Sequence, residues 1–471
     1  MVVTIGRNIT VSEPSDELIR WCEDNLVIRN PDYIKKQRMN FWLGRTPEFL
    51  HLYEWDGDNL VLPFGTLRDV LPMMRIADFV NLFPQEPAKI DYGAKVPLYD
   101  YQQQAVDVMF AKKCGILQSR AGSGKTQMGI ALVNMWGQRA LWLTHTHDLL
   151  EQSKERAEQY MDASLIGTIT AGKVNIGKGI TFATVQTMAN LDLPAYRDTW
   201  NVIIVDECHR VAGTPTAMTQ FAKVLNNLCA AHKYGLSATV HRADGMIKAT
   251  FAYLGNIVYS VPDEAVADKV MTVKVEMLNT QYDVDRTCLN TDGTINYTAL
   301  IDSLGKNYDR NKLIADKIAD CDGHSCLVLS ARIAHLERIR ELLPDELFEK
   351  SALITGKMTT KTGQKERAQA IEQMRTGEKT VLFATYNLCK EGLDVPVLDR
   401  LFLASPQTDY AVITQSIGRI ARTAPGKETP VCYDIVDDKV GYLARAYKKR
   451  CTTYKKNGCE FKRLGKKEKT K

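Results

Sequence analysis

Short apolar runs alternate with longer amphipathic stretches through most of this 471-residue chain. Buried strands that alternate with amphipathic helices are typical of a parallel sheet covered by helices on both faces. The pattern therefore predicts an α/β fold with two tandem parallel-sheet domains, at residues 96–262 and 312–440. The predicted strands lie at 114–118, 140–144, 180–184, 202–205 and 234–237 in the first domain, and at 325–330, 351–354, 380–385, 400–404 and 431–435 in the second.

The sequence outside these two series differs in composition and lacks the regular alternation of apolar runs and amphipathic stretches. Residues 1–95 combine aromatic and basic side chains with an Asp-Gly turn, which indicates a small α+β accessory domain. Residues 263–311 are predicted to be a connection, in which the Asp-Gly turn of 290–294 is either an ordinary turn or the tip of a strand-separating hairpin. We expect five aromatics of the accessory domain to form a core rather than a base-stacking platform: Trp21, Phe41, Trp42, Tyr53 and Trp55.

Composition narrows the class of protein. Hydrophobic residues make up 45% of the chain and charged residues 25%, which excludes disordered and fibrous classes. The longest apolar runs are strand-sized and the N-terminus lacks the apolar core of a signal peptide, so we expect a soluble, cytoplasmic protein without a membrane partner. The 11 cysteines include no C-x-x-C pair, which predicts reduced, mostly buried thiols and no zinc site.

Positive charge is concentrated at the end of the chain. Residues 441–471 hold 12 Lys and Arg against two Glu, a charge of +10, whereas the whole chain carries only +5. Three aromatics, Tyr447, Tyr454 and Phe461, recur there at a spacing of seven. The basic tail either lies along a phosphate backbone and releases counterions, or forms a helix whose aromatic stripe packs on the second domain. Both interpretations stay open, and they are compatible.

A glycine-rich segment at 119–126 separates a predicted strand from an amphipathic stretch at 128–136. A turn of this kind that enters a helix directs several backbone N–H groups toward phosphate oxygens. We expect Lys125 to reach the β- and γ-phosphates of ATP and Thr126 to hold Mg²⁺. The other predicted nucleotide-binding residues of the segment are Ala121, Gly122, Ser123 and Gly124.

Two adjacent carboxylates end the apolar strand at 202–205. A buried pair of carboxylates needs a cation nearby. We therefore expect Asp206 to complete the metal site together with Thr126, and Glu207 to orient and deprotonate the attacking water.

A third element, residues 415–422, lies in the second domain. Charge that develops on a transferred phosphoryl group needs a cation beyond lysine and magnesium, and arginine provides one with fixed geometry. We predict that Gln415, Arg419 and Arg422 belong to the catalytic set.

In this order and at these separations, the elements resemble those of superfamily 2 helicases, over about residues 96–436. The resemblance implies two RecA-like domains that close over one ATP. It implies that Gln102 reads the base and that Gly392 and Asp394 face the nucleotide, while Ser237 and Thr239 couple hydrolysis to domain movement. It also implies nucleic-acid contacts by Thr144, Thr184, Gln186 and Thr385.

Within the superfamily, segments 206–209, 237–245 and 395–396 look most like phage-type branch-migration and repair helicases, and more distantly like the XPB group. This implies an ATP-dependent DNA helicase or translocase on duplex or branched DNA, with single-strand tracking, in recombination, replication or repair. The resemblance implies no particular protein partner. The alternatives are an RNA helicase or double-stranded RNA translocase, the motor of a restriction system, and a clamp that does not hydrolyse ATP.

Overall fold

The computed structural model describes residues 1–461 except 75–76, 84–87, 121, 171, 212–214, 239–244, 263, 267–269, 357, 359–360, 391–392 and 394. The chain divides into two compact units, Met1–Arg120 with Gly124–Ala265, and Ala121–Ser123 with Val266–Lys471. Among the described helices, none has the length and apolar character needed to cross a membrane.

In its described residues, the N-terminal part of the first unit contains two small sheets and three α-helices. Strands β5-β6-β2-β1-β7 form one sheet, and β3 pairs with β4 in the other. Ser15 and Asn30 accept hydrogen bonds from the first turns of α1 and α2, as helix caps do. The elements are β1 (Val2–Ile5), β2 (Asn8–Ser12), α1 (Asp16–Asn25), β3 (Val27–Arg29), α2 (Pro31–Arg38), β4 (Phe49–His51), β5 (Glu54–Asp56), β6 (Asn59–Pro63), α3 (Leu67–Val70) and β7 (Asp78–Asn81).

The core of this N-terminal part continues into the larger sheet of the same unit. Ile9 and Leu60 belong to one buried cluster with Ile116 and Val205. Lys233 is buried and its Nζ donates to the carbonyls of Arg7 and Leu225, and burial lowers the pKa of Lys233 to about 7. The accessory segment is thus fused to its neighbour, and the predicted boundary at residue 95 stays a prediction.

The expectation that the N-terminal aromatics form a core is wrong for three of the five. Trp21 and Tyr53 pack against the buried cluster. Phe41, Trp42 and Trp55 are instead 57%, 87% and 49% exposed. The reason is local: Phe41 and Trp42 lie in a loop after α2, and Trp55 lies on the short strand at the edge of the sheet.

The predicted first parallel sheet is present, with eight strands in the order β11-β10-β12-β9-β13-β14-β8-β15. Every pair is parallel except β10 with β11. The strands are β8 (Gly115–Gln118), β9 (Ala140–Thr144), β10 (Ile166–Thr170), β11 (Lys173–Asn175), β12 (Ile180–Thr184), β13 (Val202–Asp206), β14 (His232–Ser237) and β15 (Ile257–Ser260), and the helices are α4 (Asp100–Lys112), α5 (Lys125–Trp136), α6 (His147–Glu158), α7 (Val185–Ala189), α8 (Pro215–Asn227) and α9 (Ile247–Leu254).

The second unit holds a seven-stranded, all-parallel sheet in the order β18-β19-β17-β20-β21-β16-β22. Two tandem RecA-like α/β sheets are therefore confirmed. The elements are β16 (Lys274–Asn279), α10 (Tyr297–Lys306), α11 (Tyr308–Ala319), β17 (Cys326–Ser330), α12 (Ile333–Glu341), α13 (Asp345–Glu349), β18 (Ser351–Ile354), α14 (Lys361–Thr376), β19 (Val381–Thr385), α15 (Tyr386–Lys390), β20 (Arg400–Leu403), α16 (Tyr410–Ile420), β21 (Val431–Val436), α17 (Gly441–Lys456) and β22 (Glu460–Phe461).

The segment predicted as a connection is partly built into the second sheet. Strand β16 pairs in parallel with β21 over its whole length, from Lys274 opposite Val431 to Asn279 opposite Val436. The turn at 290–294 is closed by a 2.7 Å hydrogen bond from the Asn290 N–H to the Thr294 carbonyl, next to a single bridge pair. It is an ordinary turn rather than a strand-paired hairpin.

The basic tail folds back onto the second sheet as helix α17. Tyr447 and Tyr454 are buried, and Phe461 meets Tyr454 edge-on at 5.8 Å. Arg450 is buried with Asp434 of β21, with 2.9 Å between the Arg450 Nε and the Asp434 Oδ2 atoms. The aromatic stripe therefore packs on the second domain. Residues 462–471 lie outside the described part of the chain.

Candidate active site

One edge of the first sheet gathers most of the residues singled out in the sequence. Parallel strands present their carboxyl ends at the same edge, where ligands of open α/β sheets bind. Strands β8, β14, β13, β9 and β12 end there at Gln118, Ser237, Asp206, Thr144 and Thr184. The Ser119 N–H donates to the Ser237 carbonyl over 3.0 Å, so the glycine-rich segment leaves the sheet directly beside β14.

The glycine-rich segment has the backbone that a phosphate-binding turn requires. Gly124 caps α5 in the left-handed conformation, with a φ of +81°, and α5 begins at Lys125. A side chain at position 124 would also collide with the amide of Gln102, so both the backbone and the space favour glycine. Lys125 is 9% exposed and Ser123 is 1% exposed. The turn thus directs its N–H groups and one lysine toward the edge of the sheet.

Gln102 lies beside this turn and also caps α4. Its side-chain oxygen accepts a hydrogen bond from the Tyr99 N–H over 3.0 Å, and the residue is 2% exposed. Its predicted role as base reader stays a prediction.

Asp206 is buried at the end of β13, and Glu207, the next residue, is largely but not fully buried. Glu207 adopts a left-handed conformation, with a φ of +48°, which turns the chain sharply after the strand. Burial and the neighbouring Glu207 raise the pKa of Asp206 to about 7. Burial also acts to raise the pKa of Glu207, but Lys125 and His209 outweigh it and lower that pKa to about 2. The pair therefore holds negative charge next to Lys125, and a bound cation would favour the charged form of Asp206.

One carboxylate oxygen of Glu207 is free to accept a hydrogen bond from a water or a ligand. The Oε2 atom is buried and accepts no aligned hydrogen bond from the described residues. Its 3.3 Å separation from the His209 Nδ1 atom is an electrostatic contact. A buried carboxylate oxygen of this kind is costly unless a water or ligand occupies its free side. This free oxygen fits the predicted role of Glu207 toward an attacking water, and that role stays a prediction.

His209 links Glu207 to the end of β14 and is not among the predicted site residues. Its Nδ1 atom lies 2.9 Å from the Ser237 hydroxyl and 3.3 Å from the Glu207 carboxylate. Its position two residues after Glu207 is the one feature of the sequence that could have indicated a role. Its contact with Ser237 depends on the pairing of β13 with β14, which the sequence does not show.

We expect His209→Ala to lower nucleic-acid-stimulated ATPase about 10- to 100-fold, as removal of a group that orients an active-site ligand does, while the basal rate falls less. The reason is that the variant removes the ring that contacts both Glu207 and Ser237. Steady-state ATPase assays with and without nucleic acid measure both rates. His147→Ala removes an exposed histidine of α6 and is the control. Equal losses in both rates would show that His209 serves only the hydrolytic step.

The residues predicted to contact nucleic acid on the first unit lie together at the ends of β9 and β12. Thr144 stands opposite Thr184 in the paired strands. The Thr184 hydroxyl accepts from the Thr187 N–H at the start of α7, and the Gln186 amide lies 3.2 Å from the His145 ring. Burial, Arg210 and His209 lower the pKa of His145 to about 4, so the ring is neutral at pH 7.

The predicted residues of the second unit occupy α16 and the end of β19. Gln415 is 7% exposed, and its side-chain oxygen accepts no hydrogen bond from the described residues. The Arg419 Nε donates to the Cys389 carbonyl over 3.1 Å. Arg422 forms a backbone bridge with Val270, and Thr385 ends β19. The roles of Gln415, Arg419, Arg422 and Thr385 stay predictions.

Four predicted site residues lie outside the described residues: Ala121, Thr239, Gly392 and Asp394.

Two family matches cover much of the chain. Residues 95–242 match the family described as "Type III restriction enzyme, res subunit". Residues 309–424 match the family described as "Helicase conserved C-terminal domain". The first match contains the glycine-rich turn and the Asp-Glu pair, and the second contains Gln415, Arg419 and Arg422.

Curated relatives include helicases of viruses and an archaeal translocase. A "Putative ATP-dependent RNA helicase L396" of Acanthamoeba polyphaga mimivirus is 28% identical over 69% of this chain, which spans 60% of that relative. A "DNA 3'-5' translocase XPB2" of Sulfurisphaera tokodaii is 27% identical over 70% of this chain and 79% of the relative. The "ATP-dependent DNA helicase uvsW" of Enterobacteria phage T4 is 23% identical over 72% of this chain and 68% of the relative.

A solved structure shares the fold. S. cerevisiae Dbp5 bound to RNA and ADP BeF3 aligns with 86% of this chain and 94% of its own, at a TM-score of 0.55 and 17% identity. Because the two helicase domains follow one another in the matched order and helicase-named relatives align across both, the chain belongs to the superfamily 2 helicases and is an ATP-hydrolysing enzyme.

Proposed function

We propose that this chain is an ATP-driven DNA helicase or translocase that moves on duplex or branched DNA, in recombination, replication or repair. The observation that carries the proposal is the shared edge of the first sheet. The glycine-rich turn, the Asp206-Glu207 pair and the polar ends of β9 and β12 lie along that one edge. ATP binding and hydrolysis would thus take place close to the residues proposed to hold nucleic acid.

The cofactors in this proposal are ATP and Mg²⁺. Lys125 and the N–H groups at the start of α5 would hold the phosphates, and Thr126 and Asp206 would hold the cation. The bound ion neutralises charge that develops on the phosphates during hydrolysis. Glu207, with its pKa lowered, is ionised at pH 7 and accepts the proton of the attacking water.

DNA is favoured over RNA by the names of two relatives, a DNA translocase of an archaeon and a DNA helicase of phage T4. The mimivirus relative is named as an RNA helicase, so an RNA motor is the second candidate. The match of residues 95–242 to a restriction-enzyme subunit favours a third, a restriction motor whose nuclease lies on another chain. Co-purification of a nuclease subunit would support that third candidate.

The test is steady-state ATPase at one salt concentration with no nucleic acid, single-stranded DNA, duplex DNA, a four-way junction and duplex RNA. We expect the largest stimulation by duplex or branched DNA. Stimulation by RNA alone would favour the RNA motor. A chain that hydrolyses ATP equally in all five conditions would contradict the proposal that it moves on nucleic acid.

The exposed face of α17 gives a second test of nucleic-acid binding. Lys448, Lys449 and Lys455 are exposed on this face, whereas Arg450 of the same helix is buried with Asp434. Deletion of the tail would therefore remove part of the core, so substitution of the lysines is the informative change.

We expect the triple variant Lys448→Gln, Lys449→Gln, Lys455→Gln to weaken DNA binding and to flatten its salt dependence. Each lost phosphate contact lowers the slope of log Kd against log salt by about 0.7 to 0.9. Fluorescence anisotropy titrations at several salt concentrations measure the slope. Replacement of Lys312, Lys317 and Lys350, which pair with acidic neighbours on the same unit, is the matched control. A slope equal to that of the wild type would show that the lysines on the exposed face of α17 do not contact DNA phosphates.

A further inference from the structure

The most exposed large hydrophobic side chain of the described residues belongs to a short loop of the N-terminal part. This loop, residues 39–46, joins α2 to β4 and is called the aromatic loop below. Trp42 is 87% exposed, and its neighbours Phe41 and Met39 are 57% and 51% exposed. Phe49, the first residue of β4, is 48% exposed. Aromatic rings on a soluble protein are rarely left in water at this density without a partner.

The aromatic loop is held in place by its own hydrogen bonds. The Phe41 N–H donates to the Lys36 carbonyl over 2.8 Å, and the Thr46 N–H donates to the Leu43 carbonyl over 3.0 Å. The Lys36 Nζ reaches the Thr46 hydroxyl at 2.7 Å, and the Asn30 amide donates to the Pro47 carbonyl at 2.9 Å. The rings are therefore presented by an ordered loop, which reduces the conformational entropy lost on binding.

The indole of Trp42 lies against a glycine and is open to solvent elsewhere. A β-carbon at Gly44 would lie 2.9 Å from one indole carbon and 3.2 Å from two others. Gly44 has a φ of +52°, which also favours glycine. The loop at Gly44 thus lies against one part of the ring, and most of the side chain remains exposed to solvent.

The segment that contains this ring is rich in positive charge. Residues 29–51 hold five Lys and Arg against two acidic residues. Arg29 pairs with Glu48 at 3.1 Å, so four cations remain against Asp32. Three of the four precede the aromatic loop and the fourth lies within it: Lys35, Lys36, Arg38 and Arg45. An exposed flat ring in a basic segment fits a ligand in which a flat, apolar group lies next to a negatively charged group.

We propose that the aromatic loop binds single-stranded nucleic acid, with Trp42 stacking on an unpaired base and the flanking cations contacting the adjacent phosphates. Stacking platforms bordered by basic side chains bind single strands with little sequence preference. A paired base inside a duplex offers no free face to Trp42, so the loop selects unpaired bases. The inference rests on the proposed function and adds a site to it: the branch or fork at which the motor works contains such bases.

The loop belongs to the motor unit. The sheet of the N-terminal part shares its buried cluster with the strands that carry the glycine-rich turn and Asp206. In addition, the Lys248 Nζ of α9 donates to the Asp24 carbonyl at the end of α1. A strand held by Trp42 is therefore anchored to the first unit.

Fluorescence anisotropy with a labelled oligo-dT and with a blunt duplex, on the full chain, tests the proposal. We expect Trp42→Ala to weaken binding of oligo-dT by about 5- to 100-fold, with the salt slope unchanged because stacking releases no counterions. Duplex affinity and basal ATPase stay at wild-type values. Trp42→Phe keeps most of the oligo-dT affinity, and Gly44→Ala weakens it because the methyl group displaces the indole.

The matched control is Trp55→Ala, which removes a half-exposed tryptophan outside the aromatic loop but in the same unit. Replacement of Lys35 and Arg45 by Gln is expected to flatten the salt slope, unlike Trp42→Ala. Oligo-dT affinity of Trp42→Ala equal to that of the wild type would overturn the inference while leaving the motor function in place, and equal losses for oligo-dT and duplex would overturn the selection of unpaired bases. A wild-type chain that binds neither DNA would contradict both the inference and the proposed function. If Trp42→Ala changes only self-association in sedimentation experiments, the loop is a protein interface instead.

Discussion

Replacement of Glu207 by Gln is expected to lower ATP turnover about 10²- to 10⁴-fold, the range that a positioned general base contributes. Glutamine keeps the size of the side chain and removes its charge, so the water would be positioned without an acceptor for its proton. The pKa of Glu207 is lowered to about 2, so the wild-type group is ionised throughout the physiological range. Single-turnover hydrolysis separates this chemical step from nucleotide binding.

The comparison with Lys125→Ala makes this prediction specific. Lys125 begins the helix at the glycine-rich turn, so its loss should weaken ATP binding itself. Glu207→Gln should keep ATP affinity within a few-fold of the wild type. Glu151→Gln, on the exposed surface of α6, is the matched control and should hydrolyse ATP normally. If Glu207→Gln hydrolyses ATP at the wild-type rate, Glu207 is not the general base of the hydrolytic step.

Replacement of Arg450 by Ala is expected to destabilise the second unit by about 3 to 5 kcal/mol, because it leaves the buried carboxylate of Asp434 without its cation. The two side chains are 3% and 0% exposed. Tyr454 also donates to Asp434, over 2.7 Å, but a single hydroxyl does not replace a positive charge. The midpoint of urea denaturation, followed by circular dichroism, measures the loss.

Two variants separate the buried charge from the helix that carries it. Lys449→Ala lies on the exposed face of α17 and should change stability by no more than about 0.5 kcal/mol. Combining Arg450→Met with Asp434→Asn removes both charges and should recover part of the stability. If Arg450→Ala unfolds at the wild-type midpoint, the ion pair contributes no net stability.

Several features were predictable from sequence because they depend on neighbours in the chain. Buried parallel strands are apolar runs, so β9, β12 and β18 were located to the residue. A turn that needs a left-handed residue calls for glycine, as at Gly124, and the carboxylates of Asp206 and Glu207 are adjacent in the sequence itself. The family resemblance added the order in which these elements follow one another.

Other features depend on contacts between residues far apart in sequence, and only the tertiary structure decided them. The sequence suggested a core role for Trp42, yet burial depends on what packs against a ring, and the loop holds this one in solvent. The sequence predicts a connection where β16 lies, because this strand, next to the two-residue edge strand β22, has a mixed pattern of burial. The link from His209 to Ser237 exists because β13 and β14 are neighbours, and Arg450 is buried because Asp434 lies opposite it. Hydrophobic periodicity and short motifs reflect the properties of residues that are close in sequence. Strand pairing and the packing of helices on the sheets determine which distant side chains come into contact.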